Sequence, residues 1–156
     1  MDESVFRAAL ARFASGVTVL TLREDADRDA GMTVTAFSSL SLDPPLILVC
    51  IGYAASIAPA LARATHFAVH VLADDQEPLA RRFAFKEIDR FDGLTMRRGI
   101  AELPLLEGAL ATLQCRIHAR HPGGDHEIVV GEVLDAEGRE GEPLLYFRGG
   151  YTGRTR

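Results

Sequence analysis

Five short hydroxyl side chains crowd between Met32 and Ser41: Thr33, Thr35, Ser38, Ser39 and Ser41, set around one aromatic, Phe37. An ordinary half-buried strand needs fewer donors, so this cluster asks for a ligand. The small residues and hydroxyls of the run from Gly31 to Gly52 suit a flat molecule with a phosphate tail. Other residues with chemical potential lead away from metal or covalent chemistry. His66 and His70 are four apart, a zinc-pair spacing on a helix. Phe67, Val69 and Val71 make that stretch a strand, where four residues cover about 13 Å, too far for two imidazoles to share an ion easily. His126-Glu127 opens an H-E-x-x-H pattern, but Val130 stands where the second histidine belongs. Cys50 sits in an apolar run with no assigned basic neighbour and reads as small core filler rather than a nucleophile.

The common nucleotide and hydrolase signatures are missing. There is no G-x-G-x-x-G after a strand, no G-x-x-x-x-G-K-[ST] and no G-x-S-x-G. A Rossmann domain, a P-loop NTPase and an α/β-hydrolase thereby lose their main support. A chain without its own acid, base or metal still has one route to catalysis, a bound cofactor.

The elements that must position these residues are short. Val5, Phe6, Ala9, Leu10 and Phe13 recur at helical spacing, with Asp2 or Ser4 as cap and Gly16 as stop. Strands are expected over 17–22, 32–37 and 46–51, the last two divided by Asp43-Pro44-Pro45, whose prolines cannot donate to a ladder. Ser56 can cap a helix reaching about residue 64, with Pro59 in its first turn, where N–H groups have no helical partner. A strand follows over 67–71. Asp74 and Glu77 resemble a capping pair for a helix through Leu79, Arg82 and Phe83 that ends before Asp89. A short strand is expected at 94–97. In the best strand signal, Leu113, Cys115, Ile117 and Ala119 face a core while Gln114, Arg116, His118 and Arg120 face water. Turn chemistry at 121–125 leads to strands over 127–133 and 143–147. These elements do not alternate as βαβα, which disfavours a doubly wound sheet. The fold expected is mainly β, a closed or partly split antiparallel barrel with two or three short helices, which can carry a ligand at its mouth or side.

The 156 residues suit one domain, 1–156, long enough to bury about 68 to 70% of its unfolded surface. Seventeen basic against twenty-two acidic residues give a net charge of −5, so nothing recruits nucleic acid electrostatically. Cys50 and Cys115 fit a reducing compartment better than a disulfide scaffold. No run approaches the ~20 apolar residues of a membrane span, and the start lacks a basic-then-apolar signal sequence. The expected location is cytoplasmic, away from membranes.

Segments along nearly the whole chain occur in the order found in one family. They are FRAALARFASGVTVLT, GMTVTAFSSLSLDPPLILVCIG, SIAPAL, FAVHVLADDQEPLARRFA, DRF, LEGALATLQCRIHARHPGGDHEIVVGEV and GEPLLYFRGGY. Together they resemble the short flavin reductases of the FMN-binding split-barrel family, the reductase components of two-component flavin-dependent monooxygenases. The resemblance implies an antiparallel Greek-key split barrel, a homodimer, and flavin in a groove near the subunit interface. By position, Thr33, Val34, Thr35, Ala36, Phe37, Ser38 and Ser39 would line the isoalloxazine and ribityl chain. Cys50 and Ile51 would flank the ring. Ser56, Ile57, Arg82 and Phe83 would lie near the ribityl phosphate. A phosphate there has physical sense, because a helix N-terminus favours anions and an arginine adds a charge-assisted contact. Read without the resemblance, Ser56 caps its helix and Arg82 is a solvated charge.

The family's histidine near the nicotinamide matches His126, which alone would read as an exposed residue beside a Gly-Gly turn. Tyr146 and Phe147 fall on the nicotinamide side, though residues 144–147 would equally make a core strand. Val34-Thr35-Ala36 stands where many members carry Ala-Asn-Ser or Ala-Asn-Ala, and Ile51-Gly52-Tyr53 lacks the basic or amide residue often found near that loop. The choice of FMN or FAD, and of NADH or NADPH, stays open. The implied activity is hydride transfer from NADH or NADPH to FMN or FAD, with reduced flavin passing to a partner monooxygenase. No catalytic residue is obligatory, because the protein's task is to stack two rings and screen them. Two rivals share the barrel: a flavin-binding or electron-transfer protein without turnover, and a pyridoxamine-phosphate-oxidase-like enzyme, whose basic substrate pocket is not evident.

Overall fold

In the computed structural model, which describes residues 1–85 and 88–153, the Asp2 carboxylate caps α1 (Glu3–Leu10) by accepting from the N–H groups of Ser4 at 2.9 Å and Val5 at 3.1 Å. Next come β1 (Ser15–Gly16), β2 (Thr18–Arg23), β3 (Asp29–Val34), β4 (Phe37–Leu42) and β5 (Pro45–Gly52). Then follow α2 (Ala58–Arg63), β6 (His66–Val71), α3 (Glu77–Ala84), β7 (Met96–Arg98) and β8 (Pro104–Leu106). The long hairpin β9 (Ala111–Gly123) and β10 (His126–Gly138) leads to β11 (Leu145–Phe147) and β12 (Gly150–Thr152).

Seven of these strands form one antiparallel sheet in the order β3-β2-β6-β9-β10-β5-β4. Its two edge strands, β3 and β4, are consecutive in the chain, with only Thr35 and Ala36 between them. Laid flat, the outer strands of such a sheet would stand about 29 Å apart. Three Cα steps from Val34 to Phe37 reach at most about 11 Å. The sheet must therefore roll until its edges meet. It does so with β3 and β4 unpaired to each other, leaving a seam crossed by the chain itself. β5 returns beside β10, after which β6, β9 and β10 lie side by side, the Greek-key order. The expected mainly-β split barrel is what the chain builds.

The single strand expected over 32–37 is corrected by this seam. Alternation runs on unbroken through Thr33-Val34-Thr35-Ala36-Phe37, with no glycine or proline to mark the switch, so periodicity could not reveal that the chain changes strands there. Other corrections are local. Gln76 Oε1, not Glu77, accepts the Ala73 N–H at 3.0 Å, while Glu77 pairs with Arg81 one turn on at 2.6 Å. α3 ends at Ala84; the expected reach toward Asp89 crosses residues 86 and 87, which lie outside the described residues. Gln114 is buried rather than wet, because the 96–106 segment covers it: it accepts from Ile100 N–H at 2.7 Å and donates to Asp135 at 2.8 Å. The expected last strand divides, Pro143 bridging Ala73 while β11 pairs with β1 and β12.

The rolled sheet encloses Leu20, Leu22, Val34, Val49, Phe67 and Val129, and Ile57 and Leu61 of the α2 segment pack against them. Phe67 is accommodated because Gly131 faces it; a Cβ on Gly131 would lie 2.5 Å from Phe67 Cζ. Arg120 ties α2 to the barrel by donating to Leu61 O at 2.7 Å and Ala64 O at 3.2 Å, carbonyls at the helix end. A second core lies outside the barrel, where Ala80 and Phe83 of α3 pack with Val17, Val19 and Leu144.

His70 joins three strands. Its fully buried ring donates from Nδ1 to Val19 O at 3.1 Å and accepts the Leu106 N–H on Nε2 at 3.1 Å, which requires the neutral imidazole. Both ring nitrogens are thus committed to backbone groups. Burial pushes its pKa down to about 4, against 6.5 when exposed. Between those values the unfolded chain binds the proton and the folded one does not, so stability is fully present above about pH 6.5 and falls as the pH drops toward 4. The loss should approach about 3 kcal/mol. Urea unfolding at pH 7.5 and pH 5 should show that decline, and His70→Gln should flatten it while lowering stability at pH 7.5.

Candidate functional site

Beside the link that crosses the seam, a groove of about 730 Å³ opens on the outside of the barrel. One wall is the link and start of β4, Thr35, Ala36, Phe37 and Ser38; β5 supplies Leu48 and Cys50, and β11 supplies Tyr146 and Phe147. The alternation of β5 explains the sorting. Ile47, Val49 and Ile51 are buried toward the barrel interior, while Leu48, Cys50 and Gly52 are half-buried and face outward. Cys50 is therefore part of the groove wall, correcting the expectation that it fills the core. Cys115 is the core thiol, and burial pushes its pKa up to about 12.

At the groove rim stand Arg7 of α1 and Arg148. Arg148 and Gly149 both have positive φ, 52° and 78°, as the turn between β11 and β12 requires. The Arg148 N–H donates to Ala11 O at 3.1 Å and its guanidinium lies 5.3 Å from the Phe147 ring centre. Apolar walls, the hydroxyls of Thr35 and Ser38 and a cationic rim fit a flat ring system with an anionic extension.

Not every hydroxyl of the opening cluster is available. Thr33 donates to Ala80 O at 2.6 Å and so fastens α3 to β3; Ser38 donates to Ser39 O at 2.8 Å and keeps its acceptor side. Val34 and Ile51 point into the barrel, and Ser39 is exposed on β4 outside the groove lining. Phe83 is fully buried beneath Gly31, whose missing Cβ would lie 2.8 Å from its ring.

His126 lies on the same outward face as Cys50. In the β5–β10 ladder it pairs with Gly52, as Ile128 pairs with Cys50, so the imidazole stands one outward position beyond the cysteine. Its Nδ1 meets Asp125 Oδ1 at 2.7 Å, and that hydrogen bond holds the Asp125 carboxyl below the usual carboxylate range. Nε2 lies over Gly52, where a Cβ would be 3.6 Å away.

A second cleft, about 230 Å³, lies at the other end of β3 and includes Gly31, Ser56, Ile57, Asp89 and Arg90. Gly31 and Thr35 are four extended residues apart, about 13 Å. Ser56 does not cap α2: that helix starts at Ala58 behind Ile57 with no side-chain cap. The Ser56 hydroxyl faces Arg90 instead, with Nη2 3.5 Å away. Arg90 also donates from Nη1 to Gly31 O and from Nε to Phe85 O at 2.7 Å, and partial burial lowers its pKa. Arg82 lines neither cleft; it holds the carbonyls of Arg90, Asp89 and Asp92. Arg90 is the cleft's cation that sequence reasoning passed over. The DRF segment containing it was its only signal, and nothing in that tripeptide says that its guanidinium reaches Ser56.

The sequence model described as "Flavin reductase like domain" matches residues 10–155. The chain is 45% identical to the reductase component of 4-hydroxyphenylacetate 3-monooxygenase of Thermus thermophilus, over 96% of this chain and 95% of that one. It is 46% identical to an FMN reductase (NADH) of Agrobacterium fabrum, over 96% and 84% of the two chains. Among solved structures, the NADH:FAD oxidoreductase of Streptomyces globisporus, determined with NAD and FAD fragments, aligns with a TM-score of 0.92 at 38% identity, covering 99% of this chain and 93% of that one. Component B of nitrilotriacetate monooxygenase from Mycobacterium thermoresistibile aligns with a TM-score of 0.94 at 35% identity, covering 99% and 87%. With its seam groove, its rolled sheet and these relatives over nearly its full length, the chain belongs to the flavin reductase like domain family.

Proposed function

We propose that this chain is an NAD(P)H-dependent flavin reductase that supplies reduced FMN or FAD to a flavin-dependent monooxygenase. The observation that carries the reading is the seam groove, which gathers Thr35 to Ser38, Cys50, Tyr146 and Phe147 from three distant stretches of a chain of this family. Relatives named as an FMN reductase (NADH) and as a monooxygenase reductase component support the cofactor and the partner class. Bound flavin supplies the hydride acceptor, and NADH or NADPH the donor.

The chain's own residues bind and orient. Phe37, Leu48 and Phe147 provide apolar walls that exclude water, Thr35 and Ser38 offer hydroxyls at the ring edge, and Arg7 and Arg148 attract the phosphates of the nicotinamide dinucleotide. His126, steadied through Nδ1, presents Nε2 toward the nicotinamide. Ser56 and Arg90 take the ribityl phosphate, Ile57 flanks it, and Thr33, Val34, Ile51 and Phe83 shape the strands behind the ligand. Holding two rings in contact supplies the rate enhancement without a protein acid or base.

The reading extends to assembly and location. Among the described residues Val5, Phe6 and Leu10 of α1 and Phe13 just beyond it are apolar and exposed, and Leu40 and Leu42 of β4 are exposed as well. Such a surface suits a homodimer. Residues 1–156 are read as a single domain, and the unpaired thiols of Cys50 and Cys115 suit the cytoplasm.

Purified protein should oxidise NADH or NADPH at a rate that depends on added FMN or FAD. Flavin binding without turnover would make it a binding module instead. His126→Ala should raise the nicotinamide KM roughly tenfold while changing the flavin Kd less than about twofold, as expected for one lost hydrogen bond; equal kinetics would remove the His126 role. FMN should slow alkylation of Cys50, read by peptide mass, whereas Cys115 should react only after unfolding. Sedimentation should give twice the mass of the chain, and Phe6→Glu with Leu10→Glu should shift it to monomer.

A further inference from the structure

Arg82 is the charged residue, among the predicted phosphate contacts, that the fold turns away from both clefts. Its half-buried guanidinium donates from Nε to Arg90 O at 2.7 Å and from Nη2 to Asp89 O at 3.2 Å and to Asp92 O. Nε and both Nη2 hydrogens are thereby committed to one loop. The loop is tied twice more: the Phe91 N–H donates to Asp89 Oδ1 at 3.0 Å, and the Phe91 ring meets Phe83 edge-on at 5.1 Å. Between these ties Arg90 turns back to β3 and reaches Gly31 O and Ser56 Oγ. Gathering three carbonyls onto one planar fork confines the backbone from 89 to 92, and with it the direction in which Arg90 leaves the loop.

We propose that Arg82 is a positioning residue for phosphate recognition: by clamping the carbonyls of 89, 90 and 92 it presents Arg90 beside Ser56, and so sets the affinity for the FMN phosphate without touching it. This rests on the flavin reductase reading, with the ribityl phosphate in the Ser56–Arg90 cleft. A direct contact and a clamp predict different couplings. Two separate contacts add, whereas a residue acting only through Arg90 contributes nothing once Arg90 is gone.

The test compares FMN with riboflavin, which lacks the phosphate, by fluorescence-quenching Kd for wild type, Arg82→Gln, Arg90→Gln and the double variant. Each single change should weaken FMN roughly tenfold, the worth of a charge-assisted hydrogen bond, and leave riboflavin within about twofold. The double variant should bind FMN no more weakly than Arg90→Gln alone. Unchanged FMN affinity in Arg82→Gln, equal loss of both flavins, or additive losses in the double variant would each overturn the proposal while leaving the reductase reading intact. Wild-type protein that binds neither flavin would instead sink the reductase reading itself, and the proposal with it. Should Arg82→Gln not fold, Arg82→Lys serves in its place, since an ammonium keeps the charge but lacks the planar fork; it should still lose FMN affinity selectively, and wild-type affinity would overturn the clamp.

Discussion

A two-residue covalent link between the edge strands of a seven-stranded sheet is the constraint on which this structure depends. Thr35 and Ala36 cannot bridge a flat sheet, so the sheet curls, the alternate residues of β2, β5 and β6 turn inward together, and one apolar core forms inside. The same link leaves a seam where β3 and β4 run unpaired to each other. Backbone and short side chains of the link are reachable from outside, and the groove runs from them over the outer side of β4 and β5 rather than into the packed interior. Closure of the barrel and exposure of the candidate ligand wall are thus one event.

Around that roll the chain relies on multidentate polar clamps. Sixteen of its seventeen basic residues are arginine, and several use the guanidinium fork to gather carbonyls that no ladder satisfies. Arg120 holds the end of α2, Arg82 holds the loop at 89–92, Arg90 joins that loop to β3, and Arg139 gathers Gly108 and Ala109. Buried polar side chains follow the same rule. Thr18 donates to Val34 O, Thr21 to Pro104 O, and His70 bridges β2 to β8, so among the described residues no buried side-chain polar atom lacks a partner. Each such bond is modest in net worth, but leaving its buried group unpaired would be costly.

Much of this was legible in the residues. Period-two alternation located the long hairpin β9–β10 and the inward face of β6, the Gly-Gly turn marked the hairpin's reversal, and helical spacing marked α1, although it ran on to Phe13, past the helix end at Leu10 and toward a Gly16 that lies in β1. The ordered segments carried the family and its split barrel. Burial was harder to read. Cys50 and Val49 are neighbours in an equally apolar run, and only the direction of the pleat separates a groove thiol from a core valine. Gln114 reads as wet from its own strand, because the 96–106 segment that covers it is remote in sequence.

The sequence by itself determined which elements form and that they are mainly strands, since periodicity and turn residues are local properties, and it gathered the short hydroxyls near Phe37, two of which, Thr35 and Ser38, line the groove. Tertiary structure alone decided which hydroxyls remain free and which arginine faces Ser56. Thr33 is spent on Ala80, 47 residues away, and Arg90 rather than Arg82 meets Ser56, across 34 residues. Pairings at that separation depend on how the sheet rolls and how α3 and its following loop pack on it. No local pattern encodes that geometry, because it arises from loop closure and packing acting on the whole chain at once.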